Sequence, residues 1–537
     1  MAGVLAAAIV GGGLLADGVG RSSATYDEVA YLEIAARWWR TGDAARITRM
    51  GSPLTFWKLQ QTPALWIIDR AGYGHWIDDP IAHQAELLLW VRLSSAWLWL
   101  AALALTAAWA GFEHGWGAAV LAAWLYALSP NLLAHGGLAT MEMPLIAATA
   151  AVLLLFARFL RRGDRWAFWG AAGMCGVAFS CKFSAVVLPV LLAVAWVVEE
   201  WLQARGGREQ VGKVLVAMLG FLVAMAMADV AITAGAMLPP SERVGDHPSL
   251  AGLGRLGSLT SRILETPLPQ DWVGFARQTQ HQRSGGPSYL LGERRMSGWW
   301  YYYFVCLAVK VPLSFGVLVL GRMFLLRRRP PTVGDRLALV VIAGTLAIVA
   351  IGSSRNYGFR YILFLAPAAI VGISGLAAAG TWGRRIAGIG LAGQALALLS
   401  IHPHELSYFN IAAGGPEGGR WILADSNLDW GQGARSLARL QHERPELRDL
   451  TFYYFGDTDP AHYGVAGTIY VIDAHKSRRP LPARVSAATP YIAVSRSLQH
   501  GPWGPPGYFR ELDRLSPVAI TPDHTVAIYR TADLGAL

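Results

Sequence analysis

Long uninterrupted apolar runs dominate the first 400 or so residues, with neither the strict alternation of half-buried strands nor the polar face of a soluble helix. A helix that crosses a bilayer needs about 20 predominantly apolar residues. Stretches near 2–18, 88–110, 116–132, 143–160, 166–181, 184–202, 214–237, 299–321, 336–352, 360–380 and 386–401 qualify, which predicts eleven transmembrane helices. Past 401 the pattern changes. LTFYYFG, GTIYVIDA, YIAVSRS and HTVAIYR are short β-branched and aromatic runs set between Pro, Gly and Asp, as strands are, and RSLARLQHE has a helical period. The chain therefore divides into a polytopic α-helical membrane domain, 1–401, and a small mixed α/β domain, 402–537.

Charge sets the orientation. Basic clusters at Arg161, Arg162 and Arg165, at Arg205, Arg208 and Lys213, at Arg322, Arg327, Arg328 and Arg329, and at Arg384 and Arg385 fall in alternate loops, and the positive-inside rule makes that side cytoplasmic. The opposite face receives the loops 19–87 and 238–298 and the whole C-terminal domain, with Trp299 to Tyr303 as an aromatic belt at the membrane edge. This places the chain in the cytoplasmic membrane with an extracytoplasmic C-terminal domain. Only 15% of the 537 residues are charged and 54% are hydrophobic, so the net charge of +10 reflects orientation and not nucleic-acid binding. Cys175, Cys181 and Cys306 lie in apolar stretches without metal-ligand spacing. The run AGVLAAAIVGGGLLA has no basic residue before it and reads as a first spanning helix with a truncated start, not a signal-like segment. GGPEGG, 414–419, reads as a flexible turn cluster and lacks the Lys-Ser/Thr of a phosphate-cradling loop. No internal repeat of the kind found in two-halved transporters is visible.

Four cations escape the orientation rule: Lys182 in FSCKFSA, Arg355 and Arg360 in SSRNYGFRY, and Lys310 in VCLAVKVPLSF. On insertion scales an unpaired charge at mid-helix costs about 2.5–3.5 kcal/mol. Snorkelling to lipid headgroups accounts for any one of them; four together ask for an anion. The same face carries Asp27, Glu28 and Glu142, with His135 close by in LAHGGLATMEMP. Cations and carboxylates at a bilayer edge suit a lipid-linked phosphate and a reaction that needs a general base.

Asp27 and Glu28 have two readings. Thr25-Tyr26-Asp27-Glu28 matches a capping box, with both acids favourably placed at the positive end of a helix dipole. The helix that follows, with Val29, Leu32, Ala36 and Trp39 on one face and Glu33 spaced to pair with Arg37, would lie on the membrane surface. Catalysis is the alternative, and Glu28 could cap while Asp27 faces a cavity. DSNLDWGQG, 425–433, has the alternating Asp425, Asn427 and Asp429 of a calcium loop, but Trp430 stands where that loop needs Gly and Ser436 where it needs Glu. It reads as a surface loop rich in Asx turns.

Taken in order, YDEVAYLEIA, SPNLLAHGGLATMEMPL, GVAFSCKFSAVVLP and GFRYILFLAP resemble the polyprenyl-phosphate-dependent glycosyltransferases that include the protein O-mannosyltransferases and the lipid A aminoarabinose transferase, within the glycosyltransferase C (GT-C) superfamily. PSYLLGERRMSGWWYYYF, VKVPL and HELSYFNIAAGGPEGGRWILADSNLDWGQG look similar to bacterial members whose acceptors are undefined. The resemblance implies inverting transfer of a sugar from a polyprenyl-phosphate donor to a protein, lipid or glycan acceptor on the outer face. It implies Asp27 as general base with Glu28 beside it, and Lys182 and Arg360 on the donor phosphate. Lys310 and Arg355 join them on the charge argument alone. Where relatives commonly have Thr-Asp this chain has Met141-Glu142, a carboxylate one methylene longer. No cofactor is required; a divalent metal is allowed, with His135 and Glu142 as a partial site. A flippase or transporter of a lipid-linked anionic solute is the alternative, and a scaffold with a degenerate site is the third.

Overall fold

The protein is described here from a computed structural model. It covers residues 1–42, 55–203, 207–233, 237–238, 268–326, 330–352, 354–473, 477–485 and 488–536. Arg205, Arg327, Arg328 and Arg329, and residues 239–267 of the expected outer loop 238–298, lie outside the described residues.

Among the described residues each expected apolar stretch is helical over most of its length, but the helices are less uniform than the pattern predicts. Among the described residues six are long and apolar enough to cross a membrane: Ala2–Val19, Gln84–His114, Glu142–Arg162, Phe183–Leu202, Glu209–Thr233 and Val333–Gly352. Two more spans form only if bent pairs are joined, Trp116–Ala127 with Pro130–Gly136 at 65° and Tyr302–Lys310 with Leu313–Phe324 at 102°. Both bends have a proline at the start of the second helix, Pro130 and Pro312, as expected of a residue without an N–H to continue the ladder. The expected single helix over 299–321 is thus two, with Lys310 the last residue of the first. Stretch 166–181 gives a 17-residue helix, Arg165–Cys181, and 360–380 breaks into short helical turns around Ala366–Ser374. The result is a multi-pass helical body. At the end carrying the basic residues, Arg322 pairs with Asp335 at 2.9 Å, Arg336 with Glu199 at 2.7 Å, and Arg161 donates to the Phe112 carbonyl at 2.6 Å.

At the opposite end sits a five-stranded mixed sheet in the order Thr468–Ile472, Leu450–Phe455, Tyr491–Ser495, Val526–Arg530, Ala519–Ile520. The first three are parallel, with Thr451 opposite Thr468 and Leu450 opposite Tyr491, and the last two are antiparallel to their neighbours. Ala434–Glu443 packs its Leu437 beneath the sheet. Strands expected from LTFYYFG, GTIYVIDA, YIAVSRS and HTVAIYR all form. GGPEGG, expected to be a flexible turn cluster, is instead a short helix, Gly415–Gly419, entered through Gly414 and Gly415 at positive φ; its Glu417 bonds Arg420 and Arg496.

Candidate active site

The helix Tyr26–Thr41 begins at Thr25 with the expected reciprocal capping box. Val29, Leu32 and Ala36 are buried, though against protein: this face packs with Ala64, Leu65 and Ile68 of the Thr55–Arg70 helix. The Tyr26 ring stacks on Phe455 of the sheet at 5.7 Å, and the Tyr26 N–H donates to the Trp430 carbonyl at 2.8 Å. The helix expected on the membrane surface is therefore wedged between the helical body and the C-terminal domain.

The two adjacent acids diverge. Glu28 is 1% exposed and both its oxygens are saturated: Arg92 donates twice, at 2.7 and 2.8 Å, the Thr25 N–H and hydroxyl at 2.9 and 3.0 Å, and the Ala139 N–H at 2.8 Å. Burial alone would raise its pKa, but Arg92 and these N–H groups outweigh burial and hold the carboxyl below the usual range. Arg92 also donates to the carbonyls of Val19, Ser22 and Ser23, so the pair fastens the end of the first helix to the start of the second and to the segment before Glu142. Glu28 is an anchor in this structure, both of its oxygens taken up by hydrogen bonds within the fold. Arg92 is a charge inside the apolar helix Gln84–His114, the same sequence signal that singles out Lys182.

Asp27 points the other way, its side chain 23% exposed, and accepts from Arg360 at 2.8 Å. Arg360 also approaches Glu142 at 3.5 Å, and Lys182 donates to the same Glu142 oxygen at 2.9 Å. Four residues from four separate stretches thus form one cluster of two carboxylates and two cations. Aromatic faces space the cations: Arg360 lies 4.0 Å from the Trp430 ring centre and 5.2 Å from that of Tyr361, and Lys182 lies 4.2 Å from Tyr361. Tyr31, one helical turn beyond Asp27, is buried close to Asp27, Glu142 and Arg360; burial and the two carboxylates push its hydroxyl well above the usual range, so it stays protonated. His135 is buried near Trp430, with ring centres 6.4 Å apart. Among the described residues no group of three or more His, Cys, Asp or Glu is placed to hold a metal ion.

The other two cations lie apart. Arg355 bonds His281 at 2.6 Å, the Tyr357 hydroxyl at 2.8 Å and Ser284 at 3.2 Å. Lys310 is buried, donates to the carbonyls of Asn427 at 2.6 Å and Leu406 at 3.1 Å, and covers the Phe409 ring at 4.5 Å. That lysine ties the bend at Pro312 to the 425–433 segment, and it sits with carbonyls, not with the carboxylate cluster. DSNLDWGQG itself is no surface loop: every residue from Asp425 to Gly433 is buried. Its polar groups are satisfied within the fold, as where Asp429 accepts from the N–H groups of Gly431 at 3.0 Å and Ser497 at 2.9 Å.

Beside the cluster runs a cleft of about 300 Å³. Lys182, Arg355 and Tyr361 line it together with Phe183, Val187, Phe275, Ile348, Val349 and Phe364, so a cationic region adjoins a wall of apolar side chains, most of them from the membrane domain.

The described residues thus form a multi-pass helical body with a mixed-sheet domain at one end and a charged cluster where the two meet. In fold the chain is similar over 99% of its length to ArnT from Cupriavidus metallidurans bound to undecaprenyl phosphate, at 14% identity, covering 98% of that chain with a TM-score of 0.51. The apo state of the same enzyme aligns over the same shares at 14% identity with a TM-score of 0.33. The family model of dolichyl-phosphate-mannose-protein mannosyltransferases matches residues 57–231, which hold Glu142 and Lys182 but neither Asp27 nor Arg360. No curated protein sequence matches the chain.

Proposed function

We propose that this protein is a membrane glycosyltransferase. It moves a sugar from a polyprenyl-phosphate donor to an acceptor on the outer face of the cytoplasmic membrane, with inversion and with Asp27 as general base. One observation carries the reading: a partly exposed carboxylate, Asp27, is held 2.8 Å from Arg360 in a cluster whose other cation, Lys182, also lines an apolar cleft built mostly by the membrane domain. The family model over 57–231 and the bound undecaprenyl phosphate of the structurally similar enzyme support the donor class. The donor phosphate would sit at Lys182 and Arg360, with Arg355 farther along the cleft and the prenyl chain against the apolar wall.

In this scheme the acceptor hydroxyl or amine gives its proton to Asp27 as its oxygen or nitrogen attacks the anomeric carbon. The bond from that carbon to the phosphate oxygen breaks on the opposite face, and the electron pair leaves with the polyprenyl phosphate. A positioned base is typically worth about 10²- to 10⁴-fold in rate, and fixed cations stabilise the charge that develops on the leaving group. A phosphate leaves readily without a general acid, and no step calls for a metal. The test follows release of label from a radiolabelled polyprenyl-phosphate sugar by the purified protein. Asp27→Asn should lower release by at least about 100-fold while donor still binds, and Lys182→Ala should raise the donor concentration needed for half-maximal rate. Full activity in Asp27→Asn would sink the assignment. Label crossing a liposome bilayer still attached to its lipid would favour a flippase.

A further inference from the structure

Trp430 is no reacting group in this chemistry, yet it grips the site from two sides. Its ring covers the Arg360 guanidinium at 4.0 Å, and its carbonyl accepts from the N–H of Tyr26, the residue before Asp27, at 2.8 Å. Its own N–H is fixed by the Gln432 side chain at 2.6 Å, and the Gln432 carbonyl accepts in turn from Ser23 at 3.1 Å. One residue of the C-terminal segment therefore holds the cation through its side chain and the start of the Asp27 helix through its main chain.

We infer that Trp430 is a positioning residue: it fixes the Arg360 guanidinium between the base and the donor phosphate, so that Arg360 can pass from Asp27 to the phosphate without leaving the site. The inference rests on the transferase reading. Arg360 pairs with Asp27 and approaches Glu142. Arg360 occupies an Asp27 oxygen, so an arriving phosphate must draw the guanidinium off Asp27 before that oxygen is open to the acceptor's proton. A weakly hydrated planar guanidinium stacks on an aromatic face while it exchanges in-plane partners, and the attraction is largest where water is excluded. Trp430 is 2% exposed, so its face supplies that surface. Bulk alone would fill the space without holding the charge.

Trp430→Phe and Trp430→Leu separate the two roles. Measured as label release from a radiolabelled polyprenyl-phosphate sugar, Trp430→Leu should lower the saturated rate by roughly 10- to 30-fold, with a smaller change in the donor concentration at half-maximal rate. Trp430→Phe should recover most of that loss, and thermal unfolding of the two variants should be alike. Equal rates in the two variants overturn the inference, whether both match the wild type or both fall in step with thermal stability, because a packing role does not distinguish Leu from Phe. If the wild type itself releases no label, the transferase reading fails and takes this inference with it. A wild type that transfers alongside two wild-type-like variants overturns only the role of Trp430.

Discussion

Asp27 and Glu28 are neighbours with opposite fates, because successive helical residues point about 100° apart: one faces the Arg360 cluster and the other the Arg92 pocket. Mutating them should separate function from stability. Glu28→Ala strands the buried Arg92 without its counter-ion, an insult that typically costs about 3–5 kcal/mol, and should show as a large fall in the temperature at which detergent-solubilised protein loses its fold. Asp27→Asn keeps a hydrogen-bonding group on a partly exposed side chain and should unfold close to the wild type while losing transfer. An Asp27→Asn variant as unstable as Glu28→Ala would remove the distinction. The sequence carried the pair and the capping box but not the division of labour, since Arg92 lies 64 residues from Glu28 and only the folded chain brings them together.

Elements were legible where their physics is local. Continuous apolar runs gave helices, and short β-branched runs gave strands, because backbone hydrogen bonding in lipid and the pleat of a sheet leave little choice. The bends at Pro130 and Pro312 could have been read from the prolines; the burial of Asp425 to Gly433 could not, because its polar residues are satisfied by partners far along the chain, such as Ser497 on Asp429 and Lys310 on Asn427. That burial has a pH signature. It pushes the Asp429 carboxyl up to about 7, although the N–H groups of Ser497 and Gly431 work against it. The group is thus protonated more readily folded than unfolded, so its contribution to stability is greatest at low pH and declines as pH rises toward and through 7. Asn at this position stays neutral throughout. Relative to the wild type, Asp429→Asn should therefore gain about 1 kcal/mol between pH 6 and pH 8, read as a narrowing or reversal of the gap in thermal midpoints. A gap independent of pH would mean that Asp429 does not titrate in this range.

For the whole molecule, the charged cluster is built by one domain and covered by the other. Asp27, Glu142, Lys182 and Arg360 come from the membrane domain, while Trp430, which covers Arg360, comes from the C-terminal one. The sheet reaches the same helix through Phe455 on Tyr26, and Tyr463 and Thr458 bond Gln84 at the start of a membrane helix at 3.0 and 2.6 Å. A ligand at Lys182 and Arg360 should on this ground stabilise both parts together. At a concentration 100 times its Kd, a ligand specific for the folded state adds about 2.7 kcal/mol. Polyprenyl phosphate should therefore slow protease cleavage within 434–536 as well as within the membrane loops, even though the proposed lipid site lies in the helical body. Protection of the loops alone, with the C-terminal domain cut at the same rate in lipid-free and lipid-bound protein, would show that the two parts are not coupled through Trp430 and its neighbours.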